Sequence, residues 1–244
     1  MIKSLPFITY DNHKKLVQKI INECMTRDEE SGLMLIGSVA RGDAYPESDL
    51  DLYILLENGQ KKDFHSEMRE GILIEYKYGD FNEIQLNFKN NPMELYSFLE
   101  GKILFDSNDE LERLKEIAQH KYENFCVSID KVQGISHWLK SSLIKIQSAL
   151  KVNDELKASY IVHTSTWTIV EGIWAINNKP TPPAGSVLKY MQTLSKVPIN
   201  FDDLINILFL GDTTERISSA VFLIEWVLLD LENRYYDYYN GQLL

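Results

Sequence analysis

The segment LIGSVARGDAYPESDLDLYILL, residues 35–56, joins two apolar runs through a short polar connection. Unbroken apolar runs of this length are typical of strands that are buried on both faces. The first run ends at Gly37, and glycine allows the sharp turn that a chain makes between two packed elements. We therefore predict two buried strands, joined by a glycine turn and a short helix over residues 39–41.

Two aspartates alternate with leucines at the start of the second run. Asp49 and Asp51 lie two positions apart, and successive side chains of a strand point to opposite faces. The two carboxylates are therefore predicted to share one face. Neighbouring carboxylates repel each other unless a cation lies between them, and Mg²⁺ is the usual cation where phosphates are also bound. The pair predicts a magnesium site.

The residues before these aspartates are suited to binding an anion. Gly37 lets the backbone approach a ligand closely, and Ser38 offers a hydroxyl group. The first N–H groups of the short helix have no partners within the helix, so they are available to an anion. Arg41 adds a forked donor for phosphate oxygens. Together these residues predict a triphosphate site.

The sequence GSVARGDAYPESDLDLYILL resembles the signature of the DNA polymerase β-like nucleotidyltransferase superfamily. Its Gly-Ser-x-Ala-Arg-Gly form is most similar to the antibiotic nucleotidyltransferases and their uncharacterised bacterial relatives. The resemblance implies that Gly37 and Ser38 bind the phosphates of ATP or another nucleoside triphosphate, and Arg41 and Ser48 are further candidates for nucleotide binding. It also implies that the two aspartates bind Mg²⁺ together with a third carboxylate, which comes from a later strand of the same sheet.

Glu75, in the run GILIEYKY, is our candidate for this third carboxylate. A lone carboxylate in an apolar strand is costly to bury without a partner or a metal ion. Glu75 could act as the third metal ligand or as the base that activates the acceptor hydroxyl. The alternative is an edge-strand glutamate that faces water, because the nearby Lys77 indicates that this strand has a wet side.

The first half of the chain alternates predicted strands and helices. Apart from the central motif, the predicted elements are a helix at 11–25, a short charged helix at 63–69, the strand with Glu75, a strand at 84–88, a helix at 91–101 and a short apolar run at 102–105. A capping box formed by Ser107 and Glu110 predicts a further helix that ends near residue 122.

The second half has no strand-like alternation and is predicted to be helical. Its predicted helices cover residues 129–151, 154–177, 185–195, 201–210 and 213–239. A chain of 244 residues with 44% hydrophobic content can bury one large core or two modest ones, and the change from alternating elements to helices favours two. We therefore predict an α+β protein with two domains. A mixed sheet with flanking helices over residues 1–123 forms the nucleotidyltransferase domain, and an all-α bundle follows over residues 124–244.

This architecture is similar to that of the kanamycin- and lincosamide-modifying enzymes. The likeness implies that the helical domain helps to form the acceptor site, and that one of its glutamates is the general base. The helical domain is also a candidate for forming a homodimer. Gln147 stands where we look for that glutamate, so Glu171 in TIVEGIWAI is the candidate. The alternative for Glu171 is a surface glutamate or one that is paired within the bundle.

Charge and hydropathy narrow the choice of partners. The net charge of −11 disfavours binding to extended nucleic acid, which needs clustered lysine and arginine, and it suits a cationic acceptor. No apolar run approaches the roughly 20 residues of a membrane span, and the N-terminus lacks the pattern of a secretion signal. We predict a cytoplasmic protein without a membrane partner.

Three functions fit these patterns. The first is a Mg²⁺-dependent adenylyltransferase that modifies a hydroxyl of a small molecule such as an aminoglycoside or a lincosamide. The second is a protein-modifying nucleotidyltransferase of the toxin–antitoxin type, although its minimal members are much shorter than this chain. The third is a nucleotide-binding module without catalysis, against which the intact Asp49 and Asp51 argue.

Overall fold

The computed structural model describes residues 5–239, and their side chains as far as residue 233. It divides into two compact units, of which the first extends to Asn124 and also includes Pro182–Val187. The elements of this unit are, in chain order, α1 (Asp11–Cys24), β1 (Glu30–Ile36), α2 (Gly37–Arg41), β2 (Leu50–Leu56), β3 (His65–Arg69), β4 (Ile72–Asp80), α3 (Phe81–Asn90), α4 (Glu94–Glu100), β5 (Lys102–Asp106) and α5 (Glu110–Glu123).

The five strands form one mixed sheet in the order β3-β4-β2-β1-β5. Strands β2 and β4 are parallel, whereas the other neighbouring pairs are antiparallel. β1 and most of β2 are buried, as their unbroken apolar runs predict. The parallel pair lies in the middle of the four strands β3-β4-β2-β1, so the start of β2 has a neighbouring strand on each side.

Apolar side chains cover both faces of this sheet. On one face, Leu52 and Ile74 pack with Leu16 and Ile20 of α1. On the other face, Tyr53 and Leu55 pack in a second cluster with side chains of α3, α4 and α5. The alternation along β2 therefore assigns Asp51 to the same face as Tyr53.

Two predicted elements were wrong. Residues 65–69 form the edge strand β3 rather than part of a charged helix, because an edge strand with mostly exposed side chains tolerates charged residues. Residues 84–88 lie in helix α3 rather than in a strand. Asp80 caps this helix by accepting a hydrogen bond from Glu83 N at 2.9 Å, and Ile84 and Phe88, four residues apart, are its buried side chains.

The start of α5 also differs from the prediction. The carboxylate of Asp106 accepts hydrogen bonds from Glu110 N at 3.2 Å and from Glu112 N at 3.1 Å. Asp106 thus satisfies the Glu110 N–H that the side chain of Ser107 was predicted to satisfy, and the Ser107 N–H donates to the carbonyl oxygen of Ser31 instead of to Glu110. Helix α5 then continues to Glu123, close to the predicted end.

The second unit comprises Phe125–Thr181 and the chain from Leu188 onward, and it is helical. Its helices are α6 (Ile129–Lys151), α7 (Glu155–Ile176), α8 (Val187–Met191, which starts at the last residue of the Pro182–Val187 segment), α9 (Phe201–Leu210) and α10 (Thr213–Tyr239). A Cβ added to Gly172 of α7 would lie 2.5 Å from Val227 Cγ1, so α7 and α10 pack closely there. The predicted α+β fold class, with its mixed sheet and its helical second half, is confirmed.

Within the described part of the chain, no helix combines the length and the apolar character that crossing a bilayer requires.

Candidate functional site

Asp51 and Glu75 are directly opposite each other in the parallel pair of β2 and β4. Parallel pairing in register puts both side chains on one face of the sheet. Asp49 precedes the first residue of β2 and lies two positions before Asp51. The three acidic residues therefore meet where β2 begins, and we call them the acidic triad.

The carboxylates of the acidic triad are close enough to share one ion. One oxygen from each of Asp49, Asp51 and Glu75 lies within 4.8 Å of the others, and all three residues are half-buried. Burial, and then the negative charges of Asp49 and Glu75, raise the pKa of Asp51 to about 6. Oxygen ligands and uncompensated negative charge are what a hard divalent cation such as Mg²⁺ requires, so the residues present fit this ion.

Gly37 brings the backbone against the acidic triad. Its φ of +71° lies in the left-handed region that glycine adopts without strain. A Cβ on residue 37 would overlap Asp51 Oδ2 and would lie 2.9 Å from Asp51 Cγ. The turn from β1 into α2 therefore needs glycine at position 37 for two reasons. The backbone conformation favours glycine, and Asp51 occupies the space that a side chain would need.

A cavity of about 280 Å³ opens beside the acidic triad. It is lined by Asp49 and Asp51 and by Gly37 and Ser38, so the predicted metal and phosphate residues face one space. The other lining residues are Ile36, Arg41, Lys77, Ser97, Glu100, Pro183 and Gly185. We call this space the triad cavity.

Arg41 lines the triad cavity, but its guanidinium group already has two carboxylate partners. Nε donates to Asp43 at 3.1 and 3.2 Å, and Nη1 donates to Glu100 at 3.2 Å. The Arg41 and Glu100 side chains are only 9% and 8% exposed. Glu100 was not predicted, because nothing in the sequence around it indicates that α4 packs beside α2.

His13 supports the loop that leads into Asp49. Its side chain is fully buried, and Nε2 lies 3.0 Å from the carbonyl oxygen of Ser48. Asn12 also donates from Nδ2 to the carbonyl oxygen of Pro46 at 3.1 Å. Two consecutive side chains of α1 thus hold the backbone on the N-terminal side of the triad. Sequence reasoning missed them, because the contact joins residues that are far apart in the chain.

Ser48, a predicted nucleotide-binding residue, lies in the turn before β2. Its Oγ accepts a hydrogen bond from Tyr45 N at 2.8 Å, and its own N–H donates to the carbonyl oxygen of Tyr45 at 3.0 Å. These bonds fix the conformation of the turn. The hydroxyl group retains its capacity to donate to a ligand.

The segment Pro182–Val187 belongs to the first unit although it follows α7 in the chain. Pro182, Ser186 and Val187 are buried, whereas Pro183 and Gly185 line the triad cavity. We call this segment the strap. The sequence shows a proline-rich loop here, but no local pattern indicates that the loop packs beside residues 37–51.

Glu171, the predicted general base, lies on α7 in the second unit. Its carboxylate accepts a hydrogen bond from Lys131 Nζ at 2.6 Å, and its side chain is 22% exposed. The role of Glu171 as base remains a prediction.

Comparison with known families gives a match in the first half of the chain. Residues 18–110 match the family model described as "Polymerase beta, Nucleotidyltransferase". This part of the chain is similar to a nucleotidyltransferase domain. The nucleotidyltransferase-like region includes all of β1, α2, β2 and β4, and therefore Gly37, Ser38 and the complete acidic triad.

Comparison with solved structures gives a structural neighbour of low sequence identity. It is the crystal structure of a nucleotidyltransferase-like protein from Exiguobacterium sibiricum 255-15, with 14% sequence identity and a TM-score of 0.47. The alignment covers 89% of this chain and 74% of that chain. A comparison with curated proteins found no match.

Proposed function

We propose that this protein is a Mg²⁺-dependent nucleotidyltransferase that transfers AMP from ATP to a hydroxyl group of a small molecule and releases pyrophosphate. The observation that carries the proposal is the acidic triad beside Gly37 and Ser38, with Asp49 and Asp51 lining the same cavity as these two residues. Separate sites for the metal ion and the phosphates would not support transfer, whereas one shared cavity does.

The acidic triad would hold Mg²⁺. When bound there, Mg²⁺ offsets the charge of the triphosphate and stabilises the oxygens of an in-line displacement at the α-phosphorus. Gly37 and Ser38 bind the phosphates through the backbone and the hydroxyl group. Arg41 and Ser48 add donors at the edges of the same site.

A carboxylate takes the proton of the acceptor hydroxyl group. Glu75 is one candidate, because it lies in the acidic triad and could receive the proton instead of acting only as a metal ligand. Glu171 is the other candidate, because it is a carboxylate of α7 whose side chain is only partly exposed. Replacing each glutamate by glutamine distinguishes them, because the variant that lacks the base loses turnover most strongly.

The acceptor class that we propose is an aminoglycoside or a lincosamide. The net charge of −11 favours cationic ligands, and aminoglycosides carry several ammonium groups. We place the reaction in the cytoplasm, because it needs both a nucleoside triphosphate and Mg²⁺.

Mass spectrometry tests this function. The protein is incubated with Mg²⁺, each of the four nucleoside triphosphates and a panel of aminoglycosides and lincosamides, beside an Asp51→Asn variant. Asp28→Asn is the matched control, because Asp28 is an exposed aspartate outside the triad. We expect a nucleotidyl adduct on one drug with the wild type and the control but not with Asp51→Asn. An adduct that persists in Asp51→Asn would contradict the proposal. An adduct on a protein instead of a drug would mean that the acceptor is a protein and not an aminoglycoside or a lincosamide.

A further inference from the structure

Lys77 lies next to the acidic triad on the same face of the sheet. It follows Glu75 by two residues on β4 and is opposite Tyr53 of β2, as Glu75 is opposite Asp51. Because side chains two apart in a strand share a face, Lys77 points to the same side as the triad. It lines the triad cavity, and its positive charge lowers the pKa of Asp51 against the stronger effects of burial and of the two neighbouring carboxylates.

The two cations that line the triad cavity differ in how firmly they are paired. Among the described lining residues, the positive side chains are Arg41 and Lys77. Arg41 has two carboxylate partners at 3.1–3.2 Å and is 9% exposed. Lys77 has a looser contact, from Nζ to Glu94 Oε1 at 3.5 Å, and is 36% exposed. Lys77 is therefore the cation that can change partner at a lower cost.

The surroundings of Lys77 leave room for such a change. A second cavity, of about 270 Å³, lies beside the triad cavity and is lined by Lys77, Glu94, Tyr53, Asn87 and Asn91. Lys77 borders both cavities. Its flexible side chain can thus turn from Glu94, which lines the second cavity, towards a ligand in the triad cavity.

The charge balance of the site requires another cation. The acidic triad contributes three carboxylates, and a nucleoside triphosphate adds further negative charge. Arg41 is already balanced by Asp43 and Glu100. We propose that Lys77 is a catalytic residue whose ammonium group leaves Glu94 and donates a hydrogen bond to a phosphate oxygen of the bound triphosphate. This inference rests on the proposed function.

Lys77 keeps all its protons during the reaction. The oxygen of the acceptor hydroxyl forms the new bond to the α-phosphorus, and the bond from the α-phosphorus to the pyrophosphate oxygen breaks. The hydroxyl proton passes to the carboxylate base, and pyrophosphate leaves with the bonding electron pair. Lys77 stabilises the negative charge on the phosphate oxygens throughout this exchange.

Calorimetry with a non-cleavable nucleotide tests the inference without requiring turnover. We would titrate adenosine α,β-methylene triphosphate with Mg²⁺ into the wild type, Lys77→Met, Lys77→Arg and Glu94→Gln. Lys89→Met is the matched control, because Lys89 is an exposed lysine on the outer side of α3. Thermal unfolding of each variant shows whether it is folded, and Lys77→Gln replaces Lys77→Met if the latter is not.

We expect Lys77→Met to bind the nucleotide roughly tenfold or more weakly, since hydrogen bonds to charged groups contribute this much. Lys77→Arg should recover most of the affinity, and Glu94→Gln should bind at least as tightly as the wild type because it releases Lys77. Equal binding by Lys77→Met and the wild type would overturn the inference and leave the proposed function intact. Equal losses in Lys77→Met and Glu94→Gln would also overturn it, because they indicate a structural ion pair. Failure of the wild type to bind the nucleotide would instead overturn the proposed function.

Discussion

Gly37 and Asp51 are in contact across the turn that starts α2, and the Asp51 carboxylate fills the place where a Cβ on residue 37 would be. The backbone that is proposed to bind phosphate and a carboxylate that is proposed to bind Mg²⁺ are thus neighbours in space. A metal ion on Asp51 and a phosphate on Gly37 would therefore interact directly, which is the arrangement that phosphoryl chemistry needs.

Replacing Gly37 by alanine should separate these two groups. The new Cβ displaces Asp51, and the φ of +71° adds about 1 kcal/mol of backbone strain. We expect Gly37→Ala to lose Mg²⁺-dependent nucleotide binding by at least roughly tenfold, in addition to a lower melting temperature. Calorimetry and thermal unfolding measure the two effects separately.

Gly42→Ala is the matched control for Gly37→Ala. Gly42 has a φ of +83°, but an added Cβ would meet nothing within 4 Å. This variant should show a similar loss of stability with nucleotide binding retained. If both variants lost binding equally, backbone strain rather than the contact with Asp51 would explain the result.

The raised pKa of Asp51 predicts how stability depends on pH without Mg²⁺. The folded protein binds this proton up to about pH 6, whereas the unfolded chain releases it near 3.8. The folded state thus binds more protons between these values, so the free energy of unfolding falls as pH rises through this window. Asp51→Asn removes the free-energy cost of the ionised Asp51 carboxylate in the folded state. The variant should therefore stabilise the metal-free protein by about 1–2 kcal/mol at pH 7.5, after allowance for solvent screening.

Thermal melts in chelator from pH 3.5 to 8 check this prediction. The stability advantage of Asp51→Asn should disappear below about pH 4, where the wild type and the variant both carry an uncharged side chain at position 51. Added Mg²⁺ should raise the melting temperature of the wild type more than that of the variant, because the variant lacks one ligand. An Asp51→Asn variant that is less stable than the wild type in chelator at pH 7.5 would contradict the raised pKa.

Local sequence predicts the part of the site that depends on local geometry. The alternation of Asp49 and Asp51 in an apolar run places both on one face, and Gly37 marks the turn beside them. The position of Glu75 beside Asp51 depends on the parallel register of β2 with β4, which is a long-range property. An apolar strand with one glutamate, together with the family resemblance, predicts Glu75 as the third carboxylate, and the structure shows that it lies beside the two aspartates.

Other features depend on packing that no local pattern reveals. Ile84 and Phe88 are four residues apart, and this spacing fits both the period of a strand and one face of a helix. The cap by Asp80 favours the helix. The strap and His13 reach the site from distant parts of the chain, so their places follow from tertiary structure alone.

His13 offers a test of whether the loop before the triad must be held in place. His13→Leu removes the donor to the Ser48 carbonyl and leaves this oxygen without its side-chain partner, which should cost about 1–3 kcal/mol of stability. Because Asp49 follows directly, we also expect weaker Mg²⁺ binding. His13→Gln should restore much of the stability and of the Mg²⁺ binding, since the glutamine amide can donate from nearly the same position as Nε2.

The comparison with Asn12→Ala shows whether these effects are specific. Asn12 donates to Pro46 in the same loop, but this hydrogen bond is exposed and should contribute less. Thermal unfolding gives the stability of each variant, and Mn²⁺ titration followed by electron paramagnetic resonance gives the metal affinity. A His13→Leu variant with the wild-type metal affinity would show that His13 stabilises the fold without positioning Asp49.

Gly185 tests whether the strap borders the bound substrates. It lines the triad cavity, and an added Cβ would meet nothing within 4 Å, so a larger side chain has room to extend without disturbing the protein. We expect substrate binding to weaken progressively from Gly185→Ala through Gly185→Val to Gly185→Phe, while the melting temperature stays close to that of the wild type. Separate titrations with the nucleotide analogue and with the acceptor identify which ligand the strap touches.

Ala184→Phe supplies the control for this series, because Ala184 is an exposed neighbour on the same strap. It adds a phenyl ring of the same size at a position outside the residues that line the triad cavity. Binding that falls for Gly185→Phe but not for Ala184→Phe means that the ring occupies substrate space. Unchanged binding of both ligands to Gly185→Phe would mean that the substrates occupy the Gly37 side of the triad cavity. The strap would then line the cavity without contacting the substrates.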